Sequence, residues 1–201
     1  MGGYRGILRQ LILAYKERGR LALADPLGVA LALSVLAIAP PGVGLVLVPV
    51  PATAAAARAR GGDHVRRLAR SAARELRCRG RPAVVCRAVA ARPWIPDSAE
   101  LTAEARARRA VNAFRPLPAM SELATSRGRD PTGRERSTMA LARGAGAPAV
   151  VVVDDIITTG ATLAAVTRLL SAADVVVAGA AVLAATRRLR QPRTSEPAAA
   201  G

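Results

Sequence analysis

Apolar residues along the chain follow two rhythms, one suited to helices and one to buried strands. Ile7, Leu8, Leu11, Ile12 and Tyr15 recur at helical spacing and predict an amphipathic helix over about residues 4–17, ended by Gly19. A second helix is expected through ADPLGVALALSVL. Short apolar blocks at about residues 45–50, 83–89, 150–153 and 175–183, rich in Val and Ala, predict strands covered on both faces of a parallel sheet. Between them a helix is expected over about residues 63–77, and Leu163, Val166, Leu169 and Leu170 predict another that begins at Ala161.

This order predicts an α/β fold, a mainly parallel sheet flanked by helices and preceded by an N-terminal helical hairpin. Residues 1–41 form the helical segment packed on the core and 42–186 the main domain. Residues 115–148, rich in Pro, Ser, Gly and Arg, are expected to be a flexible surface insertion, and 187–201 a disordered tail. The uncharged stretch 26–57 is divided by Pro40 and Pro41, which leaves its first part too short for a membrane span of about 20 residues. A packed helix, a turn at APPGVG and a strand account for it instead.

Composition changes this picture little. The 201 residues suffice for a core without disulfides or metal. A net charge of +16 would ordinarily suggest a polyanionic partner, but the excess is nearly all arginine, Lys16 is the one lysine, and Ala and Arg dominate as codon bias toward G and C would also produce. Aromatics make up 2% of residues, so base-stacking platforms are lacking. Cys78 and Cys86 form no CxxC pair and read as idle thiols. The polar start MGGYRGILRQ has no signal-peptide pattern, and a cytoplasmic location is expected.

The chemistry concentrates after the third strand, in DDIITTGAT. Backbone N–H groups at a helix start, joined by the hydroxyls of Thr158, Thr159 and Thr162, can surround a phosphate, and Gly160 lets the backbone come close. Ala161 opens the helix. Asp154 and Asp155 are acceptor groups suited to the hydroxyls of a ribose. As a generic DxxTT pattern the same residues would merely end a strand and cap a helix. No GxxxxGK[ST] phosphate loop follows a strand.

Taken whole, the string after a run of valines resembles the phosphoribosyl-pyrophosphate (PRPP) motif of type I phosphoribosyltransferases. The resemblance implies that Asp154 and Asp155 contact the ribose and that Thr158, Thr159, Gly160, Ala161 and Thr162 hold the 5-phosphate. YRGILRQLILAYKERGR and VPVP followed by an Arg-rich run narrow the resemblance to the ComF family. That family has a Lys and a Gly at the helix end, matching Lys16 and Gly19. Its pyrophosphate-contacting loop corresponds to Arg58, Arg60 and Gly61, with Lys16 as a fourth contributor. After that Gly the family more usually has an aromatic residue and Asn, where Gly62, Asp63 and His64 stand here; His64 reads as a surface helix residue rather than a base.

The family's mobile segment is matched by Asp97, Ser98, Leu101, Arg106, Ala113 and Phe114, with Asp97 and Arg106 as the catalytic candidates. Glu100, Arg109 and Asn112 depart from it. The implied activity is that of a glycosyltransferase moving a phosphoribosyl group from PRPP to a nitrogen acceptor, with Mg²⁺ bound through PRPP and no metal ligands of its own. The alternatives are a PRPP-binding protein without turnover and a competence accessory factor that contacts single-stranded DNA or a DNA-uptake helicase. PRPP, an unidentified acceptor and a second copy in a homodimer are the other partners the resemblance allows.

Overall fold

The structure is a computed structural model that describes residues 2–3, 5–93, 113–125 and 147–186. Its strands are β1 (Gly2–Gly3), β2 (Leu45–Pro49), β3 (Ala83–Val85), β4 (Val89–Ala91), β5 (Phe114–Pro116), β6 (Ala149–Ile157) and β7 (Val177–Ala185). Its α-helices are α1 (Gly6–Glu17), α2 (Ala24–Leu36), α3 (Ala54–Ala59), α4 (His64–Cys78), α5 (Pro118–Thr125) and α6 (Ala161–Ser171). Among the described residues the main sheet runs β1-β7-β6-β2-β3 with every pairing parallel. The expected α/β architecture, with a mainly parallel sheet and helices before it, is the observed one.

Alternation along the strands divides the core into two layers, because successive side chains leave a strand on opposite faces. Leu45 and Leu47 of β2 and Val151 and Val153 of β6 face a layer built by α1, α2 and α4. Val46, Val48, Val150 and Val152 face the other, built by α5, α6 and the β4/β5 pair. Leu31, Leu68 and Leu76 in the first layer are fully buried, each contributing about 1.5–3 kcal/mol. The two helices of that layer come unusually close at Gly28: a Cβ there would lie 2.5 Å from the Ser71 side chain, which instead donates to Asp25 at 2.8 Å.

Strand order explains where a site can form. From β2 the chain crosses to β3 on one side, then returns past β2 to β6 and β7 on the other. The crevice beyond the carboxyl ends of β2 and β6 is therefore the topological switch point, where ligands of such sheets bind. VPVP leaves β2 there, and the acidic motif leaves β6 there.

Several boundaries differ from the sequence expectation. The strand expected over 83–89 is two, because the chain breaks at Cys86 and β4 turns away to pair antiparallel with β5. The first residues of the expected insertion are ordered: β5 and α5 occupy positions 114–125, and Met120 and Leu123, one helical turn apart, are buried. Residues 126–146 and the expected tail from 187 lie outside the described residues. The short helix α3, capped by Thr53 Oγ1 accepting from Ala56 N at 3.2 Å, was not expected. Among the described residues no helix is long and apolar enough to cross a membrane, and the 26–57 stretch is spent on α2, a turn and β2.

Candidate functional site

A cleft of about 420 Å³ opens at the switch point, within the roughly 300–1,000 Å³ usual for small-ligand sites. Six elements converge on it. The exit of β2 supplies Val50 to Thr53, α3 and its end supply Ala56 and Arg60, β6 with its loop supplies Asp154, Asp155 and Thr158, and the first turn of α6 supplies Thr162. Lys16 closes it from the end of α1, with His64 at the start of α4.

Strand β6 continues through both acids to Ile157, so Asp154 and Asp155 lie within a strand and on opposite faces. Asp155 turns into the layer of α1 and α4 and is 4% exposed. Its Oδ2 lies 3.1 Å from Lys16 Nζ and 3.1 Å from His64 Nε2, and its Oδ1 accepts from Ile156 N at 2.8 Å. Burial alone would raise its pKa, but the His64 hydrogen bond and the Lys16 charge outweigh it and hold the carboxyl well below the usual range. Asp154 has no such partner. Its Oδ1 accepts from Asp155 N at 2.8 Å, while burial first and the Asp155 charge second push its pKa up to about 8. Its charged form is thus the less favoured one until a donor or a cation meets it.

The loop between β6 and α6 is set by Gly160, whose φ of +79° and ψ of −2° place it in the left-handed region just before α6. Thr159 Oγ1 accepts from Ala161 N at 3.3 Å, bracing the turn from behind. Thr158 and Thr162 face the cleft; Thr159, Gly160 and Ala161 build the turn without lining it.

Of the residues expected to meet pyrophosphate, Lys16 and Arg60 line the cleft, whereas Arg58 in α3 and Gly61 in the turn after it are exposed beside it. Arg60 pairs with Glu17 at 3.1 Å in an exposed ion pair of the weak, exchangeable kind. Asp97, Ser98, Leu101 and Arg106 lie outside the described residues. The ends of their segment do meet, since Ala91 pairs with Phe114 and Arg92 N donates to Ala113 O at 2.8 Å.

His64 is the residue of the cleft that the sequence concealed. It is 5% exposed rather than on the surface, because Asp63 caps α4 and so aims the first helical residue inward at β6. Cys86 is an inert thiol, pushed up to about 11 by burial and then by the Glu122 charge. Cys78 is exposed and free.

No group of three or more His, Cys, Asp or Glu side chains among the described residues is placed to hold a metal ion. Asp155 is committed to Lys16 and His64, so a divalent cation in this cleft would rely on the oxygens of its ligand.

With this geometry in view, comparison with known families is decisive. The family model described as phosphoribosyl transferase domain matches residues 58–197, well over half of the chain. The chain belongs to the phosphoribosyl transferase domain family. That match takes in α4, the β4/β5 pair, the acidic motif and its loop, but not α1, α2 or β2. No curated protein matches the chain.

Proposed function

We propose that the cleft binds Mg²⁺·PRPP and that the protein transfers its phosphoribosyl group to a nitrogen acceptor with release of pyrophosphate. One observation carries this reading. The cleft at the switch point brings together Asp154, Thr158 and Thr162 of the motif with the distant cations Lys16 and Arg60. A phosphate held by the loop at the start of α6 would place the ribose hydroxyls over Asp154 and direct the pyrophosphate toward Lys16 and Arg60. The resemblance to the ComF family agrees with this and leaves the acceptor unnamed.

Breaking the bond between C1 and the pyrophosphate oxygen develops positive charge on the ribose and negative charge on the leaving group. Bound Mg²⁺ supplies charge neutralisation on the pyrophosphate. The protein's own part is positioning: the loop fixes the 5-phosphate, Asp154 fixes the diol, and Lys16 and Arg60 receive the departing charge. Arg58 of α3 and Gly61 just after that helix complete the set, and the family resemblance assigns Asp97 and Arg106 to a cover that excludes water.

Calorimetric titration with Mg²⁺·PRPP tests the binding. Saturable heat is expected from the wild-type protein, with a loss of about tenfold or more in affinity for Asp154→Asn. Absence of binding, or an unchanged affinity in that variant, refutes the assignment. Pyrophosphate release screened over nucleobases and amines identifies the acceptor.

A further inference from the structure

Helix α1 precedes the family-matched residues, yet it grips the site at two points. Tyr15 donates its hydroxyl to the main-chain O of His64 at 2.7 Å, and Lys16 reaches Asp155 at 3.1 Å. His64 closes the circuit, with Nε2 3.1 Å from the same Asp155 oxygen that Lys16 approaches. A carboxylate oxygen only accepts, so Nε2 carries the proton in this contact. The other ring nitrogen, Nδ1, is buried with no hydrogen-bond partner among the described residues. An imidazole kept only to fill volume would be replaced to advantage by an apolar ring, which leaves no bare nitrogen in the interior.

We propose that His64 is a positioning residue of the site. With Lys16 it locks the Asp155 carboxylate on the α1/α4 face of β6, and thereby sets the orientation of Asp154, the carboxylate left to meet the ligand. The link between the two acids is direct, because the N–H of Asp155 donates to Asp154 Oδ1 at 2.8 Å. Fixing the second acid fixes the backbone donor that aims the first. Tyr15 holds the His64 main chain, so α1 takes part in the site through both contacts. The inference rests on the reading of the cleft as a PRPP site.

Two measurements test it together. His64 is the one histidine in the chain, so its ring nitrogens give unique signals in ¹H–¹⁵N NMR. A ring protonated at Nε2 is expected, with its Nε2 signal shifted in Asp155→Asn; a ring protonated at Nδ1 alone overturns the inference. In calorimetry His64→Phe is expected to weaken Mg²⁺·PRPP binding by about tenfold or more, the range usual for partners one contact removed from a ligand. His64→Gln, whose amide reaches about as far as Nε2, is expected to recover most of that loss, while thermal unfolding shows the Phe variant still folded at the temperature of the titration. A Phe variant that binds like wild type, or a Gln variant as weak as Phe, overturns the positioning role. A wild-type protein that shows the Nε2 signature but binds no PRPP defeats the reading of the cleft and the inference with it, and the wild-type titration alone tells that case apart.

Discussion

Asp154 and Asp155 are the same residue at adjacent places on one strand, and their surroundings have almost nothing in common. Asp155 is enclosed, met by a lysine, a histidine and a backbone N–H, and held ionised. Asp154 faces the cleft with its pKa pushed up to about 8 by burial and by its neighbour's charge. The strand's two-residue alternation is the whole cause: one step along β6 exchanges a face packed by α1 and α4 for one open to a ligand. One carboxylate thus acts as an anchor, and a shared charge makes the other a receptive acid.

The largest expected effect breaks the anchor. Asp155→Asn removes the negative charge that Lys16 and His64 share, and its NH2 faces one of the donors that a carboxylate oxygen now meets; it should cost about 3–5 kcal/mol at pH 7 in urea denaturation, as removing one partner of a buried pair does. Because the folded-state pKa of Asp155 is depressed, this stabilisation is present above the unfolded carboxylate value and is lost as pH falls; the deficit of the variant should shrink in acid. A cost below about 1 kcal/mol would erase the contrast between the two acids.

The next effect sharpens the cleft side. Asp154 has the opposite sign: its raised pKa favours the fold in acid, an advantage lost as pH rises through about 8. The ionised form is the better acceptor for a diol, so Mg²⁺·PRPP affinity should rise between about pH 7 and 9 in the wild type. Asp154→Asn should show neither that rise nor the loss of stability that the wild type shows between about pH 4 and 8. A pH-independent affinity in the wild type would place the ribose elsewhere.

The smallest effect compares neighbouring ends of α1. Lys16 meets a carboxylate that is 5% exposed, whereas Glu17 is 49% exposed in its pair with Arg60. Glu17→Gln should change stability by less than about 0.5 kcal/mol by the same denaturation measurement. A larger loss would mean that α1 is held to the site by its rim rather than by Lys16.

Much of this arrangement was legible in the sequence. The valine run, the turn residues and the helical spacing after Gly160 mark a strand, a loop and a helix, and the switch-point crevice follows from the order of the elements. The unequal fates of the two acids were not legible. They depend on β6 continuing through Ile156 and Ile157, and a strand ended at Val153 carries no alternation into the acids. The β-branched pair after them was the available signal. His64 escaped because a lone polar residue opening an arginine-rich helix looks solvated until Asp63 is seen to cap that helix from outside. Helix α5 escaped because it is two turns long, with only Met120 and Leu123 to mark its buried side.

Strand β2 carries a consequence for anyone dividing this protein. It precedes the family-matched region, yet it is wedged between β3 and β6 and hydrogen-bonds to both. Cutting the polypeptide at residue 58 would hand this strand to one fragment and both its neighbours to the other. Neither piece would keep a continuous sheet to close around, and only mixing the two could rebuild one.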